Sequence, residues 1–364
     1  MNECFKAIHY NRKKGALYPV KQFGYENAKK VIAFHRSFPK YKITPLASES
    51  NLAASLGLKD ILVKDESYRF GLNAFKVLGG SYAIGSFIAK RLGMDISELP
   101  YEKIISREIH NKLGDLTFVT ATDGNHGRGV AWTANRLNQK SVVYMPKGSA
   151  QERLDNIRAL GSDASITDMN YDDAVRLANS QAEEYWWIMV QDTAWEGYED
   201  IPAWIMQGYT TMAYEAVAQL KEKKIDRPTH IFLQAGVGAL SGGLTGFFAD
   251  LYDDKDACGE PCTIGWNVLH DHADNFVSVP DYVAAKGMRV LGNPLPGDNK
   301  VISGESGAAT LGFVAEVMQN PSLDWLREQL KLDENSTVLC FSTEGDTDKA
   351  NYRRIVWDGQ NPSF

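Results

Sequence analysis

Short apolar runs alternate along this chain with longer amphipathic segments. A short buried run predicts a strand, and an amphipathic segment of several turns predicts a helix. Strands are predicted at 61–63, 117–119, 141–145, 188–190, 231–233 and 338–341, and helices at 75–91, 126–137, 151–160, 172–184 and 203–221. This alternation is typical of parallel sheets covered by helices, so it predicts an α/β protein.

Composition narrows the classes of protein to which the chain can belong. It has 364 residues, of which 44% are hydrophobic, and a formal net charge of −7. That length exceeds what a single core usually serves, so either one two-lobed unit or two domains are expected. The acidic balance argues against a nucleic-acid partner, because sequence-independent binding needs a basic face.

Several features predict a cytoplasmic protein without a membrane partner. The N-terminus lacks the apolar segment of a signal peptide. The most apolar stretch, 231–251, is interrupted by Gln234, Ser241 and several glycines, so it predicts a strand, a glycine loop and a helix rather than a membrane span. No second pair accompanies Cys258 and Cys262 at zinc spacing, so we expect reduced thiols and no metal site.

A glycine loop joins a predicted strand to a predicted helix at 234–243, with the sequence Gln-Ala-Gly-Val-Gly-Ala-Leu-Ser-Gly-Gly. Glycines there let backbone N–H groups converge on an anion, and the helix dipole adds to the attraction. The G-x-G-x-x-G spacing of a dinucleotide loop is not met. Phosphate binding and close packing of the helix on the sheet are both open for this loop.

A second polar segment follows a predicted strand at 120–130, with the sequence Thr-Ala-Thr-Asp-Gly-Asn-His-Gly-Arg-Gly-Val. Its side-chain oxygens and the N–H groups of the following helix can bind a carboxylate. Capping of that helix by Thr122 or Asp123 is the alternative. His126, taken singly, is more often a structural histidine than a catalytic one.

Lys76 lies between Phe75 and Val77 at the start of a predicted helix. A single lysine is usually a surface residue. Here the apolar neighbours are expected to desolvate the ammonium group, lower its pKa and make the amine nucleophilic. A nucleophilic lysine is what Schiff-base chemistry with a carbonyl group requires.

Four motifs in order carry a resemblance to a known family. They are Asn-Ala-Phe-Lys at 73–76, Thr-Asp-Gly-Asn-His-Gly at 122–127, the glycine loop, and Ser-Thr-Glu-Gly-Asp at 342–346. Together they resemble the fold type II (tryptophan synthase β-like) family of pyridoxal-phosphate (PLP) enzymes, which implies two three-layer α/β/α lobes with mainly parallel twisted sheets. Within that family, the segments 193–198, 288–294 and 304–307 are similar to those of the diaminopropionate ammonia-lyases.

The resemblance implies that pyridoxal 5'-phosphate is the cofactor and that Lys76 holds it as a Schiff base. Asn125 is then expected to hydrogen-bond the phenolic oxygen of the cofactor, and the glycine loop to hold its phosphate. Ser342, or Thr343 as the close alternative, is expected to face the pyridine nitrogen and to leave it largely unprotonated. The implied cofactor-binding residues are Phe75, Lys76, Asn125, Gly236, Val237, Gly238, Ala239, Leu240, Ser342 and Thr343.

The implied activity is elimination of ammonia from 2,3-diaminopropionate, giving pyruvate and ammonia, on one or both enantiomers. Lys76, Asp123 and Asp192 are the implied catalytic residues, with Lys76 and Asp123 on opposite faces of the substrate. A helix cap or a buried ion pair is the alternative for Asp192. The implied substrate-binding residues are Thr122, Asp123, Gly124, His126 and Asp192. A serine/threonine dehydratase, a β-replacement synthase and a non-catalytic binding protein are the alternative functions.

The resemblance also implies a homodimer with a large PLP-binding domain, 1–78 plus 185–364, and a small mobile domain, 79–184. One departure falls at 251–256, which bridges a place where the lyases carry a further strand and helix. Either that piece is lost, or residues are missing from the chain there. We expect the second, because a lost strand would expose unpaired sheet edges.

Overall fold

The computed structural model describes residues 5–10, 17–252 and 263–363. The chain divides into two compact units. The first comprises the described residues of Met1–Tyr25, Ile43–Tyr68 and Met212–Phe364, and the second comprises Glu26–Lys42 and Arg69–Thr211. None of the described helices is both long and apolar enough to cross a membrane.

Strands and helices alternate over most of the described chain. The strands are β1 Lys6–His9, β2 Leu46–Ser48, β3 Asp60–Asp65, β4 Thr117–Ala121, β5 Lys140–Met145, β6 Asp163–Ile166, β7 Ile188–Met189, β8 His230–Phe232, β9 Asn275–Ser278 and β10 Thr337–Ser342. The α-helices are α1 Tyr25–Arg36, α2 Ser50–Ser55, α3 Val77–Leu92, α4 Tyr101–Ile104, α5 Arg107–Leu113, α6 Asn125–Arg136, α7 Gln151–Arg158, α8 Tyr171–Tyr185, α9 Asp200–Glu222, α10 Ala239–Tyr252, α11 Thr263–His272, α12 Asp281–Gly292, α13 Glu305–Gln319, α14 Asp324–Leu330 and α15 Lys349–Val356.

The first unit contains a four-stranded sheet of order β2-β3-β10-β8. β10 pairs in parallel with β3 and β8, and β2 runs antiparallel to β3. All six residues of β10 are buried, which is typical of a parallel strand that is covered on both faces. Because β3, β10 and β8 run in one direction, the residues that follow them meet at the same edge of the sheet.

The second unit contains a four-stranded sheet of order β6-β5-β4-β7, in which every described pair is parallel. Four of the five residues of β4 are buried, again as expected for a strand covered by helices on both faces. β4 lies between β5 and β7, so the segments that follow β4 and β7 are neighbours at the carboxyl edge of this sheet.

The predicted α/β class with mainly parallel sheets is confirmed. All six predicted strands occur, as β3, β4, β5, β7, β8 and β10, and the five predicted helices occur as α3, α6, α7, α8 and α9. The helix predicted after the glycine loop is α10. Short strands such as β2 and β6 were not predicted.

Three other expectations from the sequence concern the small domain, the departure at 251–256 and the cysteines. The predicted small domain, 79–184, lies wholly inside the second unit, and its mobility stays a prediction. Cys258, Cys262 and residues 253–256 of the departure at 251–256 lie outside the described residues. Cys340 is a buried free thiol, and burial raises its pKa to about 12, so it is a poor nucleophile.

Candidate active site

Lys76 immediately precedes α3, and its amine meets a buried carboxylate. Its Nζ lies 2.5 Å from Oδ2 of Asp192, and both residues belong to the second unit. The Lys76 side chain is 28% exposed and that of Asp192 is 3% exposed. Phe75 packs its ring against Tyr209, with the ring centroids 4.7 Å apart. The structure thus brings together two of the three predicted catalytic residues.

This ion pair changes the charge state that was predicted for Lys76. Burial by itself lowers the pKa of the amine, but the Asp192 carboxylate outweighs burial and raises the pKa of Lys76 above its ordinary value. The predicted lowering is therefore wrong. Burial also raises the pKa of Asp192, but Lys76 and then His126 outweigh it and hold the pKa of that carboxyl at about 2. Both partners are charged at neutral pH.

Glycines on two neighbouring helices fix the start of α3. A Cβ on Gly129 of α6 would lie 2.9 Å from Cα and N of Val77 and 3.1 Å from the carbonyl carbon of Lys76. A Cβ on Gly208 of α9 would overlap the carbonyl oxygen of Leu78. Both backbones approach α3 more closely than any other residue allows, so the position of Lys76 depends on packing in the second unit.

Gly129→Ala is expected to lower the stability of the protein by about 1–3 kcal/mol, because the added methyl group meets rigid backbone at Lys76 and Val77. Thermal unfolding measures this loss, and cofactor titration is expected to show weaker covalent capture. Gly80→Ala in α3 is the matched control, because its Cβ would have nothing closer than 3.4 Å. Equal unfolding temperatures for the two variants would contradict the packing argument.

The carboxyl edge of the second sheet brings the Thr122–His126 loop beside Asp192. The strand order reverses at β4, and α/β sheets bind ligands at such a reversal. The loop leads from β4 into α6, and residues 190–192 follow β7. His126 is buried, and its Nε2 donates to the carbonyl oxygen of Val190 at 2.7 Å. That bond ties the two segments together, and α6 begins at Asn125.

Thr122 and Asp123 lie in very different surroundings. The buried hydroxyl oxygen of Thr122 accepts the N–H groups of Gly124 at 3.0 Å and of Gly127 at 3.1 Å. This is the capping role that the sequence left open, so only the hydrogen of Thr122 is left for a ligand. The Asp123 side chain is 76% exposed, with its carboxylate 3.9 Å from the guanidinium group of Arg153. Substrate binding by this loop stays a prediction.

A second group of predicted residues lies together in the first unit. β8 and β10 are parallel, with Phe232 opposite Cys340. The glycine loop after β8 and the pair Ser342–Thr343 at the end of β10 therefore reach the same edge of the sheet. Gln234, the first residue of the loop, donates through Nε2 to Oγ1 of Thr343 at 2.8 Å.

The glycine loop has the geometry that a phosphate group needs. Gly236 is exposed, and apart from its chain neighbours no atom lies within 4 Å of the place that a Cβ would take there. α10 begins at Ala239, so N–H groups of its first turn are directed toward the loop without partners in the helix. The loop therefore fits the phosphate of PLP.

Ser342 and Thr343 are both buried, but their hydroxyl groups make different hydrogen bonds. The Ser342 hydroxyl donates to Oγ of Ser303 at 2.8 Å. The Thr343 oxygen accepts from Gln234, and none of the described residues accepts its hydrogen. An unprotonated pyridine nitrogen needs a donor. Thr343 can supply one directly, whereas Ser342 would have to turn away from Ser303, and the choice between them stays open.

Three polar residues near Asp192 had no predicted role. Tyr198 donates to the Met189 carbonyl oxygen at 3.0 Å and accepts the N–H of Gln191 at 2.8 Å. Gln191 in turn donates through Nε2 to the hydroxyl of Tyr171 at 2.9 Å. A signal existed for Gln191, because it is a polar residue that directly follows an apolar strand and precedes a predicted catalytic residue.

Comparison with known proteins places this chain in a family. Residues 38–256 match the family described as "Pyridoxal-phosphate dependent enzyme". Diaminopropionate ammonia-lyase of Escherichia coli (strain K12) is 47% identical over 377 aligned residues, which cover 93% of this chain and 93% of that protein.

Crystal structures of the Escherichia coli enzyme superimpose closely on this one. Its complex with D-serine gives a TM-score of 0.92 at 46% identity, covering 99% of this chain and 98% of that one. Its complex with an aminoacrylate-PLP azomethine reaction intermediate gives a TM-score of 0.90 at 45% identity, covering 99% of both chains. The chain therefore belongs to the pyridoxal-phosphate-dependent enzymes and, within them, to the family of the diaminopropionate ammonia-lyases.

Proposed function

We propose that this protein is a PLP-dependent carbon–nitrogen lyase that eliminates ammonia from 2,3-diaminopropionate. Loss of the β-amino group gives 2-aminoacrylate, which is released and hydrolysed to pyruvate and a second ammonia. The similarity to diaminopropionate ammonia-lyase over 93% of the chain supports this reaction over a dehydratase, a β-replacement synthase or a non-catalytic binding protein.

The observation that carries the proposal is the contact between Lys76 and Asp192. Asp192 is a buried carboxylate whose pKa Lys76 holds at about 2, and it lies 2.5 Å from the amine expected to bond the cofactor. Diaminopropionate differs from serine by a cationic amino group in place of a hydroxyl. An ionised carboxylate beside the reactive lysine favours a substrate that brings a second cation, because a buried charge without a partner is costly.

We expect residues of the second unit to bind the substrate and to remove its α-proton. Asp192 binds the β-ammonium group and orients it for departure. The Thr122–His126 loop binds the substrate carboxylate through the N–H groups at the start of α6. Lys76 and Asp123 take the α-proton, each from one enantiomer. When bound, PLP supplies the electron sink that acidifies this proton. The cofactor-binding roles of loop 236–240, Asn125, Phe75 and Ser342 or Thr343 stay predictions from the resemblance.

The test compares substrates on the holoenzyme. Pyruvate and ammonia are measured with D- and L-2,3-diaminopropionate, serine and threonine at equal enzyme concentration. We expect the highest kcat/KM for diaminopropionate. A higher value for serine or threonine would replace the lyase with a dehydratase, and a protein that stays colourless with excess PLP would indicate a non-catalytic binding protein.

Asp123→Asn is expected to lower turnover of one diaminopropionate enantiomer by about 10²-fold or more and to affect the other much less. The reason is that a general base typically contributes 10²–10⁴-fold to a rate, and only one enantiomer presents its α-proton to Asp123. Separate rates for the D- and L-forms measure the split. Arg153→Gln is the variant for comparison, because it removes the cation beside Asp123 and keeps the Asp123 carboxylate. Equal losses for both enantiomers in Asp123→Asn would refute the two-base scheme.

Three further expectations from the sequence stay predictions. They are the homodimer, the cytoplasmic location and the closure of 79–184 as a mobile domain. Light scattering of the purified holoenzyme measures the mass in solution, and a monomer would contradict the first.

A further inference from the structure

Gln191 lies directly before Asp192 and its amide has one possible orientation. The residue is fully buried. Its Oε1 accepts the Ala121 N–H at 3.3 Å and the Thr120 hydroxyl at 2.8 Å. A backbone N–H can only donate, so the amide oxygen must face β4. The amide nitrogen therefore faces the other way.

The orientation of Gln191 determines what the Tyr171 hydroxyl can do. Nε2 of Gln191 is a donor, so the Tyr171 oxygen at 2.9 Å must accept from it. The hydroxyl hydrogen of Tyr171 is then directed elsewhere, and no described residue accepts it. Tyr171 is the first residue of α8 and is partly buried. The Tyr171 hydroxyl oxygen is thus held by Gln191, while its hydrogen has no acceptor among the described residues.

Tyr171 lies within electrostatic range of the ion pair. Burial first, and then the charge of Asp192, raise the pKa of Tyr171 to about 12. The phenol is therefore protonated at neutral pH and available as a donor. The titratable groups that influence Asp192 or its partners come from every neighbouring segment: Lys76, Asp123, His126, Tyr171, Tyr198 and Tyr209.

His126 cannot supply a donor to Asp192. Its Nε2 hydrogen is used by the Val190 carbonyl oxygen. Burial lowers the pKa of His126, so the ring is neutral and Nδ1 carries no hydrogen. Nδ1 is buried and has no partner among the described residues. When the Lys76 nitrogen is bonded to the cofactor, Asp192 needs another donor, because a buried carboxylate without one is costly.

We propose that Gln191 is a positioning residue that turns the Tyr171 hydrogen toward Asp192, and that Tyr171 keeps Asp192 ionised while Lys76 is engaged with the cofactor. The inference deepens the proposed function, since it concerns the carboxylate that binds the β-ammonium group. It adds two residues that act through Asp192 rather than on the substrate.

The test is the pH profile of kcat/KM for diaminopropionate with the Tyr171→Phe holoenzyme. Loss of a hydrogen bond to a charged acceptor is expected to move the acid limb of the profile upward by about one to two pH units. Gln191→Glu is expected to move it in the same direction, because the introduced carboxylate accepts the Tyr171 hydrogen and repels Asp192. Tyr185→Phe is the matched control at the exposed end of the same helix, and it should leave the profile unchanged.

A second readout separates this inference from the proposed function. The absorption band of the cofactor in the holoenzyme, titrated without substrate, reports the charge beside the Lys76 nitrogen. Its acid-side transition should move upward in Tyr171→Phe. If that shift occurs but diaminopropionate is not turned over even by the unaltered protein, the proposed function fails and the inference holds. A higher KM in Tyr171→Phe with an unshifted profile and band would overturn the inference, because Tyr171 would then contact the substrate.

Discussion

Replacing Lys76 with alanine is expected to lower kcat/KM for 2,3-diaminopropionate by about 10³-fold or more and to remove the covalent absorption band of the cofactor. The variant loses the amine that we propose bonds the carbonyl group of PLP. It also leaves the carboxylate of Asp192, which is 3% exposed, without its cation. Absorption spectra after addition of PLP, together with steady-state rates, measure both effects.

Lys90→Ala is the matched control for this variant. Lys90 belongs to the same helix, α3, and pairs with Asp200 at 2.5 Å, but its side chain is 65% exposed. Exposed pairs of this kind contribute less than about 1 kcal/mol, so the band and the rates should stay as they are. If Lys76→Ala kept the covalent band and Lys90→Ala lost it, the assignment of the reactive lysine would be wrong.

The hydrophobic pattern predicts the strands that lie in an apolar run of the sequence and misses β1, β2, β6 and β9. β4 and β10 read as continuous apolar runs because helices cover both sides of them. β6 has the sequence Asp-Ala-Ser-Ile and β2 has the sequence Leu-Ala-Ser, so small and polar residues interrupt both and neither forms an apolar run. β1 and β9 are stabilised by pairing with each other across a long stretch of chain, which a local pattern does not record.

Motifs predict which residues are reactive, but they do not determine the electrostatics around them. The neighbours of Lys76 in the sequence predict burial, and burial does act to lower its pKa. Asp192, which reverses that effect, is 116 residues away along the chain and is brought close by the order of the parallel strands. The role of Gln191 was missed for the same reason, because its partners Thr120 and Tyr171 lie on other elements.

Asp192→Asn is expected to lower kcat/KM for diaminopropionate by about 10²–10⁴-fold, while the covalent band of the cofactor is retained. The amide keeps the size of the side chain but loses the charge that we propose binds the β-ammonium group. Asp200→Asn is the matched control, because that carboxylate also pairs with a lysine at 2.5 Å but is 63% exposed. Loss of the band in Asp192→Asn would mean that Asp192 is needed to place Lys76 rather than to bind substrate.

The same variant is expected to capture PLP faster than the unaltered protein, although it turns over substrate more slowly. Without the Asp192 charge, burial becomes the main influence on Lys76, and burial lowers the pKa of the amine. More of the amine is then neutral at neutral pH, so covalent capture should accelerate by about tenfold or more.

The rate at which the band appears after PLP is added to the apoprotein measures this across a pH series. In the unaltered protein the rate should keep rising with pH through the ordinary range of lysine, and in the variant it should level off at lower pH. A slower variant would show that Asp192 assists capture, for example by accepting the proton that the ammonium group must lose, and that the raised pKa of Lys76 does not limit the reaction.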